Sequence, residues 1–190
     1  MPPPTRLDRG KMQTASVTKN VGTLPTYLFA KVEGQRLEEV RAGLDDIDYI
    51  DWYGSTTGRY DLVIVLKGSD AKDVYSTIKD VRGIEGVRST TSFVPFEGYA
   101  RKEIEDWEDE DSLGQVLLRT EGEIEDVLAS LKKIPEVSEA LVVPGEWDIV
   151  ATVRGSSYED ILKRSIEEIS PIEGVTASET SFVYQPKWAG

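Results

Sequence analysis

Two patterns of hydrophobic and polar positions alternate along the chain. Short apolar runs, among them Leu62–Leu66 and Ile149–Val153, are bounded by turn residues, and this pattern predicts buried β-strands. In other stretches the apolar residues recur every three or four positions, as they do after Leu37 and after Ile124, and this spacing predicts amphipathic helices. The predicted order is strand, helix, strand, strand, helix, strand, and it occurs twice.

The last predicted helix is recognised by its start signal. Ser156-Ser157-Tyr158-Glu159 reads as a capping box, in which a hydroxyl and a carboxylate bond free amides of the first turn. The residues of this helix that we expect to face inward are Ile161, Leu162, Ser165, Ile166 and Ile169.

A four-residue motif repeats within the chain and defines the two copies. Gly58-Arg59-Tyr60-Asp61 and Gly145-Glu146-Trp147-Asp148 both read Gly-x-aromatic-Asp, and each precedes five apolar or β-branched residues, a basic residue and Gly. The similarity extends to the last predicted strands, where Thr91-Ser92-Phe93-Val94 matches Thr180-Ser181-Phe182-Val183. A repeat at a fixed period indicates duplicated structural units. We therefore expect modules at 26–96 and 115–186, a flexible leader at 1–25 and an acidic linker at 97–114.

The central strands are apolar at every position, and this determines how the sheets must pack. A ferredoxin-like βαββαβ sheet carries helices on one face, so a strand whose other face is wet should alternate apolar and polar residues. Leu62–Leu66 and Val116–Leu118 do not alternate. The predicted fold class is therefore α+β, with two tandem ferredoxin-like modules packed sheet to sheet as a dimeric α/β-barrel-like sandwich. Pairing of like modules between chains is the arrangement that the sequence leaves open beside it.

Composition removes several classes of function. The 190 residues contain no Cys and no His, which excludes thiolate chemistry, imidazole catalysis and haem held by a proximal histidine. The net charge of −13 opposes attraction to nucleic acid and to anionic membranes. No apolar run reaches the roughly 20 residues of a membrane span, and no signal-peptide pattern opens the chain. We expect a cytoplasmic protein that uses no cofactor and no metal, and that contacts neither nucleic acid nor membrane directly.

The two segments outside the modules differ in charge. The leader carries four basic residues and one acidic residue, and a basic arm that contacts nucleic acid or the acidic body is the alternative to a flexible leader. Residues 97–111 carry eight acidic and two basic residues, which is typical of a solvated linker.

The motifs resemble the effector-binding (RAM) domain of the leucine-responsive/asparagine-synthesis regulator (Lrp/AsnC) family. The resemblance rests on Gly58-Arg59-Tyr60-Asp61 before a buried strand and on the last-strand pattern Gly-Val-x-x-Thr/Ser-x-Thr, which is clearest from Gly174 to Thr180. Typical members place a helix-turn-helix before this domain, and we identify no segment here that would supply one. The resemblance implies a stand-alone tandem version that pairs through its sheets, forms homo-oligomers and binds a small-molecule effector, an amino acid or a related compound.

The same resemblance implies a ligand site at the two turns and on the last strands. Asp61 and Asp148 are expected to pair with an α-ammonium group while backbone amides hold a carboxylate; the alternative is that each aspartate only caps its turn. Tyr60 and Trp147 either stack on the ligand or pack at an edge. No catalytic residue and no metal ligand is predicted. The candidate ligand-binding residues are Gly58, Tyr60, Asp61, Thr90, Thr91, Gly145, Trp147, Asp148, Ser178 and Thr180.

The predicted function is small-molecule sensing and oligomerisation in a regulatory role. One alternative is a partner that co-assembles with full-length Lrp/AsnC regulators without binding a ligand. Another is a cofactor-free enzyme of the dimeric α/β-barrel superfamily, which the sequence disfavours because no paired carboxylates of inferable geometry stand out. We therefore expect a protein that is not an enzyme.

Overall fold

The secondary structure follows the predicted order in both copies. The protein is described by a computed structural model at residues 24–67, 70–101 and 111–189, so most of the leader and linker residues 102–110 lie outside the described residues. The α-helices are Leu37–Leu44 (α1), Ala71–Gly83 (α2), Ile124–Lys132 (α3) and Tyr158–Arg164 (α4). A 3₁₀ turn at Gly34–Arg36 precedes α1, and a π-helical turn at Ser165–Ile169 continues α4. The strands are Thr26–Val32 (β1), Ile50–Thr56 (β2), Leu62–Leu66 (β3), Val87–Phe93 (β4), Glu97–Ala100 (β5), Ser112–Thr120 (β6), Val137–Val142 (β7), Ile149–Gly155 (β8) and Val175–Trp188 (β9).

The strands form one antiparallel sheet with the order β4-β1-β3-β2-β9-β6-β8-β7-β5. The first four and the next four strands repeat the same internal order, which is that of a ferredoxin-like module. Because these two halves of the sheet pack over a shared core, we refer to them below as the two sheets. The modules join where β2 pairs with β9, and β5 adds to β7. Because only residues 94–96 separate β4 from β5, the chain also connects the two ends of the sheet. The predicted fold class is confirmed, with both modules supplied by one chain.

The core has three parts, and they explain why the central strands are apolar on both faces. In β3, Val63 and Val65 point between the two sheets, whereas Leu62, Ile64 and Leu66 pack under the helices of the first module. A separate cluster fills the space under the helices of the second module. All five residues of β3 are fully buried. The inter-sheet cluster consists of Tyr27, Phe29, Trp52, Val63, Val65, Phe93, Leu113, Leu117, Leu141, Val143, Trp147, Val150 and Val183.

Helix α4 departs from the sequence prediction. Its capping box lies one residue later than the predicted Ser156–Glu159 box: the Ser157 hydroxyl accepts from the Asp160 amide (3.1 Å), and the Asp160 carboxylate accepts from the Ser156 amide (3.2 Å). Ile161 is fully buried, as predicted, whereas Leu162 and Ile166 are 43% and 60% exposed. The prediction that these two side chains face inward is therefore wrong. Successive helical residues point about 100° apart, so neighbours such as Ile161 and Leu162 cannot both face the sheet.

The segment predicted as an acidic linker contains strand structure where it is described. β5 lies at its beginning, and the first residues of β6 lie at its end. Among the described residues, no helix is long and apolar enough to cross a membrane.

Candidate functional site

The two Gly-x-aromatic-Asp turns meet at the pseudo-two-fold axis that relates the modules. Arg59 and Glu146 occupy the same position in the two copies, and the Arg59 guanidinium lies 3.1 Å from both carboxylate oxygens of Glu146. Equivalent residues of two related copies can touch only near the axis between them. The structure therefore brings together the turns that the sequence singled out.

The backbone of both turns follows one plan. Gly58 and Gly145 have φ angles of +90° and +139°, which residues with a Cβ rarely adopt. The Asp61 amide donates to the Ala30 carbonyl and the Asp148 amide donates to the Leu118 carbonyl, both at 2.9 Å. These bonds dock each turn on the first strand of its own module.

The two aspartates use one carboxylate oxygen each to satisfy a strand amide. The Asp61 Oδ2 accepts from the Val32 amide (2.8 Å), and the Asp148 Oδ2 accepts from the Thr120 amide (2.7 Å). Val32 and Thr120 lie where β1 and β6 shift register against the last strand of their modules, so their amides need another acceptor. This supports a structural role for both aspartates. Within the described residues, the Oδ1 atoms make no hydrogen bond and remain available to a ligand.

A belt of opposite charges surrounds the meeting point. Arg119 donates to the Glu146 side chain and to the Glu146 carbonyl, both at 3.0 Å, and Arg59 also pairs with Glu179 at 3.3 Å. Glu146 and then Glu179 raise the pKa of the Arg59 guanidinium, which stays charged. The belt therefore offers fixed positive groups to an anionic ligand.

The two aromatic candidates take part in the inter-sheet core. The Arg119 and Arg59 guanidiniums lie 4.9 and 5.9 Å from the Trp147 ring centroid, and Trp147 is only 5% exposed. Tyr60 packs on Phe29 with ring centroids 5.1 Å apart. These contacts are those of packed side chains, and little of the Trp147 ring is left for a ligand to cover, whereas Tyr60 is half-buried.

The hydroxyl candidates are not all brought to the turns. Thr90, Ser178 and Thr180 pair across the ladder with residues that pack under the helices, so they lie on the helix side of the sheet. Thr91 pairs with Phe29 and faces the space between the sheets. The equivalent residue of the second module is Glu179, which pairs with Leu117. The last strands thus align one residue away from the match of Thr91 with Thr180 that the sequence suggested.

A buried polar cluster lies between the sheets and was missed by sequence reasoning. The Tyr27 hydroxyl donates to the Glu139 carboxylate and lies 2.5 Å from the Thr152 hydroxyl, to which the Gln115 amide also donates (3.1 Å). None of these four side chains is more than 6% exposed. Burial raises the pKa of Glu139 to about 7. The available signal was an acidic residue inside strand β7, between Ser138 and the apolar residues 140–142.

Known proteins resemble this chain in both modules. Residues 26–103 and 115–187 match the family model for the Lrp/AsnC ligand binding domain. The two stretches cover most of the chain, which therefore belongs to the Lrp/AsnC ligand-binding domain family, as the sequence motifs predicted. The predicted regulatory family is thereby confirmed.

Individual relatives and a solved structure show how far the similarity extends. An uncharacterised HTH-type transcriptional regulator of Pyrococcus furiosus is 42% identical over 60 residues, which is 30% of this chain and 40% of that protein. The HTH-type transcriptional regulator LysM of Sulfurisphaera tokodaii is 32% identical over 56 residues, with the same coverages of 30% and 40%. The chain thus spans about two fifths of the length of these regulators. The siroheme decarboxylase NirDL superposes with a TM-score of 0.62 at 15% identity, over 87% of this chain and 72% of that one, a likeness of fold alone.

Proposed function

We propose that this protein senses a small-molecule effector of the amino-acid class at the paired turns, and that it has a regulatory rather than an enzymatic role. The observation that carries the proposal is the meeting of the two turns at the pseudo-two-fold axis, beside fixed charges of both signs. No atom lies within 4 Å of a Cβ built on Gly58 or Gly145, so both turn surfaces are open to a ligand.

The chemistry of the turns suits a zwitterion. The Oδ1 atoms of Asp61 and Asp148 can accept from an α-ammonium group, and the guanidiniums of Arg59 and Arg119 can hold an α-carboxylate. The turns differ in charge, because Arg59 in the first corresponds to Glu146 in the second. We therefore propose that the two turns bind the effector unequally, with its carboxylate on the side of Arg59.

Thermal unfolding against the twenty amino acids tests the proposal. A ligand at 100 times its Kd stabilises by about 2.7 kcal/mol, which raises the Tm of a chain of this size by roughly 5–11 °C. We expect one amino acid, or a few related ones, to produce such a shift, and the double variant Asp61→Asn/Asp148→Asn to lose it. Asn retains an oxygen that accepts the strand amide, so the variant keeps its fold.

Asp126→Asn, an exposed substitution on α3, is the matched control and should leave the shift unchanged. The absence of a shift with every amino acid, or a shift that survives the double variant, would remove the turns as the effector site.

The exposed apolar side of α4 supports the proposed assembly into homo-oligomers. Tyr158, Leu162 and Ile166 follow one another at four-residue spacing and are 40%, 43% and 60% exposed. We propose that a second copy covers this stripe with its helix α2, where exposed Tyr75 lies between Lys72 and Lys79. Those lysines are opposite in charge to the residues that flank the stripe, Glu159 and Glu167.

Light scattering after size-exclusion chromatography measures this assembly. Leu162→Lys/Ile166→Lys should lower the molar mass, because both charges would enter the apolar contact. Lys133→Gln, an exposed substitution directly after α3, is the control. An unchanged mass in the double variant would assign assembly to another surface.

A further inference from the structure

A cavity of the first module lies at the end of β2 that is remote from the paired turns. Its volume is about 340 Å³, within the range of small-molecule pockets. The first module contributes the α1–β2 connection and Lys67, and the second module contributes the end of β9. The Ala189 amide donates to the Asp51 carbonyl (2.8 Å), which holds the end of β9 against β2. The cavity therefore exists only where the two modules meet.

The cavity has an apolar side that is rigidly packed. Its accessible part consists of the half-buried side chains of Ile47 and Trp188, whereas Leu44 and Ile50 are at most 2% exposed. The rings of Trp188 and Trp52 pack with centroids 5.3 Å apart. An apolar group of a ligand would displace water from Ile47 and Trp188.

One charge pair at the cavity is satisfied within the protein. The Asp45 carboxylate accepts from the Tyr53 hydroxyl (2.7 Å) and from the Lys187 ammonium (2.5 Å). Lys187, and after it Tyr53, lowers the pKa of Asp45, so that the carboxylate stays ionised. This network ties the α1–β2 connection to β9 and fixes the shape of the cavity.

Two further charges at the cavity are not satisfied in this way. Among the described residues, neither the Lys67 ammonium nor the Asp48 carboxylate has a hydrogen bond or an ion pair. The Lys67 amide donates to the Tyr49 carbonyl (2.9 Å), so Lys67, directly after β3, lies beside the segment that carries Asp48. The cavity thus presents one positive and one negative group that do not neutralise each other.

The second module has an equivalent cavity, which differs from the first in how its charged side chains are paired. There Arg154 takes the place of Lys67, and its amide donates to the Glu136 carbonyl (2.8 Å) as that of Lys67 does to Tyr49. Arg154 is paired with Asp111, and Glu136 is paired with Arg164 at 3.0 Å. The cavity of the second module thus pairs these charges within the chain, whereas Lys67 and Asp48 of the first module have no such partner among the described residues.

We infer that the cavity at Lys67 and Asp48 binds a zwitterionic small molecule that carries an apolar group, as a free α-amino acid with a large side chain does. Lys67 holds the carboxylate, Asp48 holds the ammonium group, and the apolar group lies against Ile47 and Trp188. This site is separate from the paired turns and does not depend on a ligand there.

Titration with L-phenylalanine, followed through the indole N–H signal of Trp188 in a ¹H–¹⁵N NMR spectrum, tests the site. Trp188→Phe assigns the signal. We expect L-phenylalanine to shift it, and 3-phenylpropionate and phenethylamine, which each lack one of the two charges, to bind about ten-fold more weakly or worse. Lys67→Gln and Asp48→Asn should each weaken L-phenylalanine binding by a similar factor.

The controls separate this site from the turns. Lys133→Gln, an exposed lysine directly after α3, and Asp61→Asn at the first turn should both leave the Trp188 shift unchanged. A Trp188 signal that no amino acid moves would overturn the inference, as would a shift that survives both Lys67→Gln and Asp48→Asn. A response confined to the Trp147 indole and abolished by Asp61→Asn/Asp148→Asn would overturn it while supporting the site at the turns.

Discussion

Replacing Glu139 by Gln should change how the stability of this protein depends on pH. The Glu139 carboxyl lies between the sheets with the Tyr27 hydroxyl donating to it, and burial raises its pKa from 4.5 to about 7, with the charge of Asp51 adding to the rise. Below pH 4.5 the group is protonated in the folded and the unfolded chain alike. Between pH 4.5 and 7 the unfolded chain releases the proton that the folded chain retains, so stability falls as pH rises.

The magnitude follows from the two pKa values. A difference of 2.5 pH units between 4.5 and about 7 corresponds to a loss of about 3 kcal/mol once the pH is well above 7. Gln has nearly the same shape, accepts from Tyr27 and carries no charge at any pH. Glu139→Gln should therefore become more stable relative to the parent protein by about 2–3 kcal/mol between pH 5 and pH 8, or roughly 4–12 °C in Tm.

Urea unfolding at pH 5, 6, 7 and 8, followed by circular dichroism, measures this difference. Glu125→Gln, an exposed substitution on α3, is the control for loss of an acidic residue and should track the parent protein at every pH. A difference between Glu139→Gln and the parent that is the same at all four pH values would refute the reasoning, because it would mean that Glu139 does not titrate in this range.

Three further substitutions probe the junction between the modules and the turns. Gly54→Ala should lower the free energy of unfolding in urea by about 1–3 kcal/mol, because its Cβ would lie 2.4 Å from Val183 Cγ1. Gly34→Ala is the control, because a Cβ there would have no atom within 4 Å, and equal effects of the two substitutions would contradict the close approach at Gly54. Asp148→Ala should cost about 1 kcal/mol by leaving the Thr120 amide without its acceptor, whereas Asp148→Asn should cost less; identical Tm values would argue against the cap. Arg59→Glu should lower the Tm, because it places like charges together, and adding Glu146→Arg should restore part of the loss at low salt. If the second change did not restore any of the Tm, the two residues would not interact as the structure indicates.

The sequence predicted well those elements whose residue pattern is compatible with only one buried arrangement. β3 was predicted with the bounds it has, because a run of apolar residues between turns can be buried on both faces only as a central strand. The same reasoning led to the sheet-to-sheet arrangement. The meeting of Arg59 with Glu146 also follows from the sequence in retrospect, since equivalent positions with opposite charges attract across an axis.

The features that the sequence left undetermined depend on contacts between distant residues. Leu162 and Ile161 are equally apolar neighbours, so only the packed sheet decides which of them is buried. Tyr27 and Glu139 lie 112 positions apart, and no local pattern indicates that they meet. The pairing of the last strands with their neighbours decides which of their residues are equivalent. This equivalence is offset by one residue from the match that the shared Thr-Ser-Phe-Val sequence suggested.

Fusion of the two modules in one chain allows their equivalent positions to diverge. A homodimer would place Arg59 against a second Arg59, and Glu146 against a second Glu146, where like charges repel. In the single chain Arg59 and Glu146 form an ion pair with each other. Lys67 and Arg154 are also equivalent, but only Arg154 is paired with an acidic residue, Asp111. The charges at the axis therefore favour pairing of unlike modules over pairing of like ones. That preference favours the pairing of the two modules within this chain over a pairing between two copies of either module.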